Sequence, residues 1–270
     1  MTHVGFIGLG SQGAPMARRI IDAGYSTTLW ARRSATLAPF ADTPAKRAAS
    51  PVELAADCDL VCVCVVDDAD VEHVILGEHG VLAGLRKGGV IAVHSTVHPD
   101  TCRRLAEQAR THGVEVIDAP VSGGGPAAEA GRLLVMVGGQ NPTFAFCRPV
   151  FETFGDPVVH VGPLGSGQAA KLLNNVLFTA HLAAAADTLA LGNELGLDAG
   201  RLAEVLGHGS GASFALGRVA AAGGTLTPLA GRAGPLLRKD VRLLAQLVGR
   251  VESATLTAAD DALGRMEHPR

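Results

Sequence analysis

The chain changes character once along its length, near Gly162. Before that glycine, short apolar runs rich in β-branched residues alternate with stretches of helical character, among them segments 99–112 and 141–153. The apolar runs are HVGFIGL, STTLW, DLVCVCVV, GVIAVHS, VEVIDA, LLVMVGG and PVVHVG. Because parallel strands need long crossover connections, which are usually helices, this alternation predicts a largely parallel, doubly wound sheet.

Beyond this point the β-rich runs stop, and alanine and leucine dominate at helical spacing, so we predict an all-helical remainder. Segment 166–195 is expected to form one helix on the order of 45 Å long, at 1.5 Å per residue. Shorter helical segments are predicted over 209–224 and 235–251. The sequence therefore predicts an α/β fold in two domains, 1–162 and 163–270, joined by the long helix.

Composition and charge limit the class of partner and the compartment. The net charge of −3 provides no basic field for nucleic acid, so the expected partner is a small molecule. Five cysteines lack both a disulfide framework and zinc-ligand spacing, which favours a reducing compartment. The first residues run into a strand without a signal region, and the most apolar long stretch, 172–195, carries polar and acidic side chains. We therefore expect a cytoplasmic protein.

Cys62 and Cys64 could share a metal ion, because alternate residues of a strand face the same side. They lie, however, within LVCVCVV, a run typical of a buried strand in which cysteine packs as a small hydrophobic residue. We predict packing here and no metal site.

The segment GLGSQG, over residues 8–13, stands between the strand HVGFI and the helical stretch APMARRIIDAG. Its three glycines permit a tight turn, a close approach of the backbone to a pyrophosphate, and close packing of helix on strand. The helix that follows offers amide donors at its N-terminus. This context predicts a dinucleotide site, and the alternative is a glycine-rich turn that binds no nucleotide.

The second strand ends in Trp30-Ala31-Arg32-Arg33, where an NAD site usually has an acidic residue for the ribose hydroxyls. The sequence thus places no acid within reach of the ribose. Guanidinium groups form bidentate, charge-assisted bonds to phosphate, so Arg32 and Arg33 predict a 2′-phosphate site and a preference for NADPH over NADH. The alternative is a solvated basic turn.

Two further segments follow strands at the carboxyl edge, where ligands bind to parallel sheets. Ser95 and Thr96 could contact the nicotinamide or the substrate, or could cap the helix that begins near Pro99. Residues 120–125, PVSGGG, expose consecutive amide groups that can form a nest for a carboxylate. The alternative for this second segment is a plain flexible loop.

Lys171 and Asn175 are four residues apart in GSGQAAKLLNN and therefore share one face of the long helix. An amine and an amide on one face could hold a single small molecule. Gly167 lies on the same stripe and, without a side chain, could let a ligand approach the helix. A lysine that merely extends its ammonium group to water is the alternative.

Together these motifs resemble the β-hydroxyacid dehydrogenase family. That family includes 3-hydroxyisobutyrate dehydrogenases, tartronate semialdehyde reductases, and glyoxylate and succinic semialdehyde reductases, with 6-phosphogluconate dehydrogenases as distant relatives. The matching segments, in the family's order, are FIGLGSQG, HSTVHP, DAPVSGGGPAAEAG, MVGG, GSGQAAKLLNN and LLRKD. The resemblance implies a Rossmann-type domain followed by an all-helical domain through which relatives form homodimers or homotetramers.

The resemblance also implies roles for particular residues. Lys171 would be catalytic, giving a proton to the carbonyl oxygen of an aldehyde acid in reduction and taking the alcohol proton in oxidation. The implied cofactor-binding residues are Gly8, Leu9, Gly10, Ser11, Gln12, Gly13, Arg32, Arg33, Val65, Thr96, Lys239 and Asp240. The implied substrate-binding residues are Ser122, Gly123, Gly124, Asn174, Asn175 and Lys239.

Some positions depart from the family's pattern. His94 stands where an acidic or amide residue is commoner, Gly125 replaces a larger residue, and the tail beyond Asp240 is shorter than usual, which affects the last helix. Imine reductases share the fold but usually have another residue in place of the lysine, and a non-catalytic NADPH-binding protein is a second alternative. Succinic semialdehyde, glyoxylate, tartronate semialdehyde and 3-hydroxyisobutyrate all remain open as substrates.

Overall fold

The structure is a computed structural model that describes residues 2–270. The chain divides into two compact units, one ending at Lys171 and the other spanning Leu172–Arg270. The strands are β1 (His3–Ile7), β2 (Ser26–Trp30), β3 (Lys46–Arg47), β4 (Leu60–Val63), β5 (Val90–Val93), β6 (Glu115–Asp118), β7 (Val121–Ser122), β8 (Leu133–Gly138) and β9 (Gly155–Gly162). The helices are α1 (Gly13–Asp22), α2 (Pro51–Ala56), α3 (Asp68–Leu76), α4 (Val81–Gly84), α5 (Pro99–Thr111), α6 (Gly124–Glu129), α7 (Asn141–Phe151), α8 (Ser166–Glu194), α9 (Ala199–His208), α10 (Phe214–Ala221), α11 (Thr227–Val248) and α12 (Ala254–Arg265).

Within residues 2–270 the strands form one nine-stranded sheet in the order β3-β2-β1-β4-β5-β6-β8-β7, with β9 paired to β8. The first six strands of this order are parallel. Strand β8 runs antiparallel to β6 and β7 and parallel to β9. The predicted α/β fold with a Rossmann-type parallel sheet is confirmed, and the carboxyl ends of β1, β2, β4, β5 and β6 share one edge.

Helices cover both faces of the sheet, and adjacent residues of a strand enter different cores because successive side chains point to opposite faces. In β4, Leu60 packs in a cluster with residues of α1 and α7. The next residue, Val61, packs in a second cluster with residues of α2, α3 and α5. Both side chains are fully buried. This double coverage explains the nearly unbroken apolar runs in the sequence.

The cysteines lie within these cores. Cys62 is fully buried in the cluster beside α1 and α7, and burial raises the pKa of its thiol well above the ordinary value. All five cysteines are free. Among residues 2–270, no three or more His, Cys, Asp or Glu side chains come together in a group that could hold a metal ion. No helix in that range combines the length and apolar character needed to cross a bilayer.

His94, at the end of β5, is also a core residue. Its Nδ1 lies 2.7 Å from the carbonyl oxygen of Ala119, to which it donates. Its ring lies nearly perpendicular to those of Phe151 and Phe154, with centroids 5.2 and 5.6 Å away. Burial lowers the pKa of His94 to about 4, so the ring is neutral at physiological pH. The departure from the family's pattern at position 94 is therefore accommodated by packing in the core.

The second unit is helical throughout its described elements. Its core gathers one face of α8, including Leu172 and Val176, with Val241 of α11 and Leu263 of α12. Side-chain caps begin two helices that the sequence does not predict. Asp198 accepts from the backbone N–H of Arg201 at the start of α9, and Ser253 accepts from Leu256 at the start of α12. The cap of Asp198 stabilises α9 although that helix contains Gly200 and Gly207.

Helix boundaries differ most in this unit. The long helix extends over Ser166–Glu194, close to prediction. Helix α10 is shorter than predicted because Ser213 caps it at its first turn. Helix α11 begins a full two turns earlier, at Thr227, with Pro228 in its first turn and Pro235 inside it. A proline in the first turn of a helix costs no hydrogen bond, because the N–H groups there have no partner within the helix. Pro228, not Pro235, therefore marks the beginning of α11.

Candidate active site

The three glycines of the loop after β1 have different surroundings in the first unit. Gly8 has a φ of 96°, and a Cβ there would collide with the carbonyl oxygen of Cys64 at the end of β4. A Cβ on Gly13 would collide with the carbonyl oxygen of Gly8. A Cβ on Gly10 would meet no protein atom within 4 Å. The outer glycines therefore allow the turn to close, and the middle one leaves open space in front of the backbone.

This loop fits a dinucleotide. Helix α1 starts at Gly13, and its N-cap residue, Gln12, makes no side-chain capping bond. The backbone N–H of Ala14 donates to the carbonyl oxygen of Gly10 at 3.0 Å and Pro15 has no N–H, so the donor that this helix end offers to a ligand is the amide of Gly13. Free amide donors at a helix N-terminus bind phosphate. The open space at Gly10 lies beside them. Gly8, Gly10 and Gly13 thus have the arrangement that pyrophosphate binding requires.

Arg32 follows β2 and has a side chain that is 78% exposed. The end of β2 carries no acid, and the absence of an acid beside the ribose stays a prediction, but Arg32 itself has an acidic partner that the sequence analysis did not identify. Asp70, in the first turn of α3, places Oδ1 at 3.4 Å from Arg32 Nη1. The acid comes from the segment after β4 rather than from the end of β2, so a search around the second strand could not find it. Arg33 is also exposed and precedes a 3-10 helix, Ser34–Phe40.

Ser95 and Thr96 have separate positions at the end of β5. The hydroxyl of Ser95 is buried and accepts from the backbone N–H of Val65 at 2.8 Å. It therefore ties β5 to the segment after β4. Neither residue caps α5, since His98 accepts from the N–H of Asp100 there. Thr96 is half-buried, and its predicted contact with the nicotinamide stays a prediction.

Asp118 is the functional candidate that sequence inspection missed. This fully buried carboxylate at the end of β6 accepts from the backbone N–H groups of Gly165 at 2.6 Å and Gln168 at 2.7 Å. Burial raises its pKa to about 6, while the backbone donors at the start of α8 act in the opposite direction. The sequence contained a signal for this residue, because Asp118 ends the apolar run VEVIDA. A carboxylate at the end of a buried strand needs hydrogen-bond partners.

Gln168 adds a second anchor between α8 and the sheet. Its Nε2 donates to the carbonyl oxygen of Ser95 at 2.8 Å, and its Oε1 accepts from the N–H of Val97 at 3.1 Å. The side chain is fully buried. The start of α8 is thereby fixed against the carboxyl ends of both β5 and β6.

Gly167 does not provide space for a ligand, as the sequence suggests it could. A Cβ there would collide with the carbonyl oxygen of Met136 and lie 2.8 Å from Asp118 Oδ2 and 3.0 Å from the backbone nitrogen of Gly138. The glycine lets the helix backbone pack directly on β8. It therefore sets the distance between α8 and the sheet.

Lys171 lies one turn after Gln168 and is only 9% exposed. A lysine that simply extends to water would be far more exposed, so this alternative is wrong. Burying an ammonium group is costly unless it has partners or a function. Its position follows from the anchoring of the first turn of α8.

The segment 120–125 is more ordered than a flexible loop. Ser122 belongs to β7, and α6 begins at Gly124. Gly123 and Gly124 have φ values of 131° and 74°, which disfavour any other residue. A Cβ on Gly125 would lie 3.2 Å from the carbonyl oxygen of Ser11. The glycine loop of residues 8–13 and the segment 120–125 therefore lie next to each other. Binding of a carboxylate by segment 120–125 stays a prediction.

In the second unit four predicted residues form one chain of contacts. Asn174 Nδ2 donates to Asn175 Oδ1 at 3.1 Å, and Asn175 Nδ2 donates to Asp240 Oδ2 at 2.6 Å. Lys239 Nζ lies 3.1 Å from Asp240 Oδ1 as an ion pair without hydrogen-bond geometry. Asp240 is 4% exposed. The acid thus links α11 to α8 and orders the amide of Asn175.

Comparison with known proteins agrees with these features. Residues 3–162 match the family model described as the NAD binding domain of 6-phosphogluconate dehydrogenase. Residues 165–263 match the model described as NAD-binding of NADP-dependent 3-hydroxyisobutyrate dehydrogenase. Together the two matches cover nearly the whole chain.

Individual relatives give the same picture. An uncharacterized oxidoreductase of Mycobacterium tuberculosis strain H37Rv is 36% identical, over 98% of this chain and 92% of the relative. The 3-hydroxyisobutyrate dehydrogenase of Pseudomonas aeruginosa is 37% identical, over 80% of this chain and 72% of the relative. The solved 3-hydroxyisobutyrate dehydrogenase of Mycobacterium tuberculosis with L-serine has a TM-score of 0.85 and 28% identity, over 99% of this chain and 95% of that one.

Proposed function

The chain belongs to the β-hydroxyacid dehydrogenase family, and from that premise we propose that it is an NADP(H)-dependent dehydrogenase of small β-hydroxyacids or aldehyde acids, with Lys171 as the general acid and base. As a member of this family it is an NAD-binding oxidoreductase that acts on CH–OH groups. The observation that supports the role of Lys171 is its burial on α8, a helix whose first turn is fixed to the carboxyl ends of β5 and β6. Ligands of parallel sheets bind at that edge.

The residues fit the cofactor. NADPH, when bound, supplies the hydride. The amide groups of residues 8–13 hold the pyrophosphate, and Gly10 allows close approach. Arg32 and Arg33 bind the 2′-phosphate, while Val65 and Thr96 contact the cofactor near the carboxyl ends of β4 and β5. Support for NADPH comes from the exposed guanidinium of Arg32 and from the NADP-dependent enzyme named in the matching family model.

Lys171 gives its proton to the carbonyl oxygen of the aldehyde in reduction and takes the hydroxyl proton of the alcohol in oxidation. Ser122, Gly123 and Gly124 bind the carboxylate of the substrate through backbone N–H groups. Asn174, Asn175 and Lys239 supply further polar contacts, and the ion pair with Asp240 orients Lys239.

The test is a spectrophotometric screen of NADPH and NADH consumption with short aldehyde acids, and of the reverse reaction with hydroxyacids. Cyclic imines serve as the competing substrate class. Lys171→Met should lower kcat by about 10²–10⁴-fold, because it removes the proton donor, while leaving NADPH affinity nearly unchanged. Lys46→Met, at an exposed position of β3, is the matched control. Near-normal turnover by Lys171→Met would exclude the assigned role.

We propose that the enzyme works in the cytoplasm as a homodimer or homotetramer. The five free thiols support a reducing compartment. Exposed leucines of the helical unit, among them Leu173, Leu177 and Leu195, support self-association. Light scattering coupled to size-exclusion chromatography measures the assembly directly, and a monomer at micromolar concentration would refute it.

A further inference from the structure

The ion pair between Arg32 and Asp70 joins the segments that follow β2 and β4, the two strands that flank β1 in the sheet. The glycine loop follows β1, so these segments stand on either side of it. A pair of opposite charges therefore lies where the adenosine half of a dinucleotide bound to that loop would extend.

The two partners differ in how firmly they are held. The backbone N–H of Asp70 donates to the carboxylate of Asp67 at 2.9 Å, and Asp67 caps α3. As a first-turn residue, the Asp70 carboxylate also interacts favourably with the positive end of the helix dipole. Its side chain is 29% exposed, against 78% for Arg32. The acid is thus the fixed partner and the arginine the mobile one.

The pair distinguishes the two cofactors by charge. A 2′-phosphate needs the guanidinium of Arg32 and is repelled by a carboxylate beside it. A ribose with free hydroxyls carries no charge there and can donate to a carboxylate, as it does in NAD sites. We propose that Asp70 is a specificity-determining residue that keeps the preference for NADPH below the level that Arg32 alone would give. This inference rests on the proposed binding of a nicotinamide dinucleotide at the glycine loop.

The experiment measures the dissociation constants of NADPH and NADH by nucleotide fluorescence in the full-length protein. Asp70→Asn keeps the shape of the side chain and removes its charge. We expect this variant to bind NADPH about fivefold more tightly than the wild type does, because a competing surface charge worth about 1 kcal/mol is lost. It should bind NADH a few-fold more weakly, because the carboxylate that accepts from the ribose hydroxyls is lost. The ratio of the two constants should rise by about tenfold, and less at high salt because the charges are then screened.

Glu72→Gln is the matched control, since it removes one charge from the same helix at a residue that pairs with Arg104 instead. The inference is overturned if Asp70→Asn leaves the ratio unchanged or if Glu72→Gln raises it equally. Asp70→Ala must move the ratio in the same direction, which excludes an effect specific to asparagine. Melting temperatures of all variants should match the wild type.

Arg32→Ala separates the two proposals. If it weakens NADPH selectively while Asp70→Asn has no effect on the ratio, the NADPH preference stands and only the role of Asp70 fails. If Arg32→Ala affects both cofactors equally, the proposed phosphate site itself is wrong. Absence of binding of either cofactor by the wild type would overturn both.

Discussion

Gly167→Ala tests how closely the start of α8 packs on the sheet. In an exposed helix interior, replacing glycine by alanine gains about 1 kcal/mol. Here the added methyl group collides with the carbonyl oxygen of Met136 and crowds Asp118 Oδ2 and the backbone of Gly138. Backbone atoms cannot rotate aside, so the helix must move away from β8.

The cost follows from two contributions. Overpacking a tightly packed position destabilises by about 1–3 kcal/mol. Moving the helix also stretches the bonds from Gly165 and Gln168 to Asp118, and a hydrogen bond to a charged group contributes about 1.5–3 kcal/mol. After subtracting the gain in helix propensity, we expect a net loss of about 2–3 kcal/mol. For a unit of this size that lowers Tm by about 4–12 °C.

The assay combines thermal unfolding with steady-state kinetics. Because Lys171 lies one turn further along α8, a shift of about 1 Å should lower kcat about 10²-fold, while NADPH binding at the glycine loop changes little. Gly217→Ala, in α10, is the control, since a Cβ there meets no atom within 4 Å, and it should be neutral or stabilising. A Gly167→Ala variant with wild-type Tm and kcat would refute the reasoning.

Two further predictions concern pH and the glycine loop. Burial lowers the folded-state pKa of His94 to about 4, below the unfolded value of 6.5, so the unfolded chain takes a proton that the folded state does not, and stability is lost as pH falls from 6.5 toward 4. Asp118, with a pKa raised to about 6, acts oppositely, because its stabilising contribution is present below pH 3.8 and lost as pH rises through 6. The free energy of unfolding of His94→Gln, measured with denaturant, should therefore rise relative to that of the wild type by about 3 kcal/mol as the pH is lowered from about 7 to about 4. A difference between the two proteins that stays constant across that range would contradict this. Gly10→Ala should keep the wild-type Tm but weaken the binding of both cofactors at least tenfold in fluorescence titrations, which corresponds to about 1.4 kcal/mol. Gly8→Ala should weaken binding and also lower Tm. Equal effects of the two variants on Tm would show that the two glycines do not differ in their structural role.

The sequence predicted the sheet and the long helix because both depend on local patterns. The strand runs are apolar throughout since helices cover both faces, and the helix over Ser166–Glu194 has uninterrupted helical composition. The two-residue strands β3 and β7 have too few residues to show any period. Helix α9 was missed because it contains two glycines, Gly200 and Gly207, and follows Gly196; the side chain of Asp198 caps its start.

In the candidate site, the glycine loop was predictable because its function depends on residues adjacent in sequence. The contacts of Asp118 and Asp70 were not, since each joins segments far apart along the chain. Asp118 meets Gly165 only because the chain returns to the end of β6 just before α8 begins. Asp70 meets Arg32 only because β2 and β4 both pair with β1, one on each side. Such pairings depend on strand order, which no local pattern specifies.

The close approach of Gly125 to the carbonyl oxygen of Ser11 has a consequence for engineering. A methyl group at position 125 would lie 3.2 Å from that oxygen, so one loop must give way by a few tenths of an ångström. Under the proposed function, libraries that change residue 125 to accept longer or branched acids would therefore also displace the loop proposed to bind the nucleotide, even when no mutated side chain reaches the nucleotide. Selecting both loops in one library, rather than in turn, is the strategy that this contact favours.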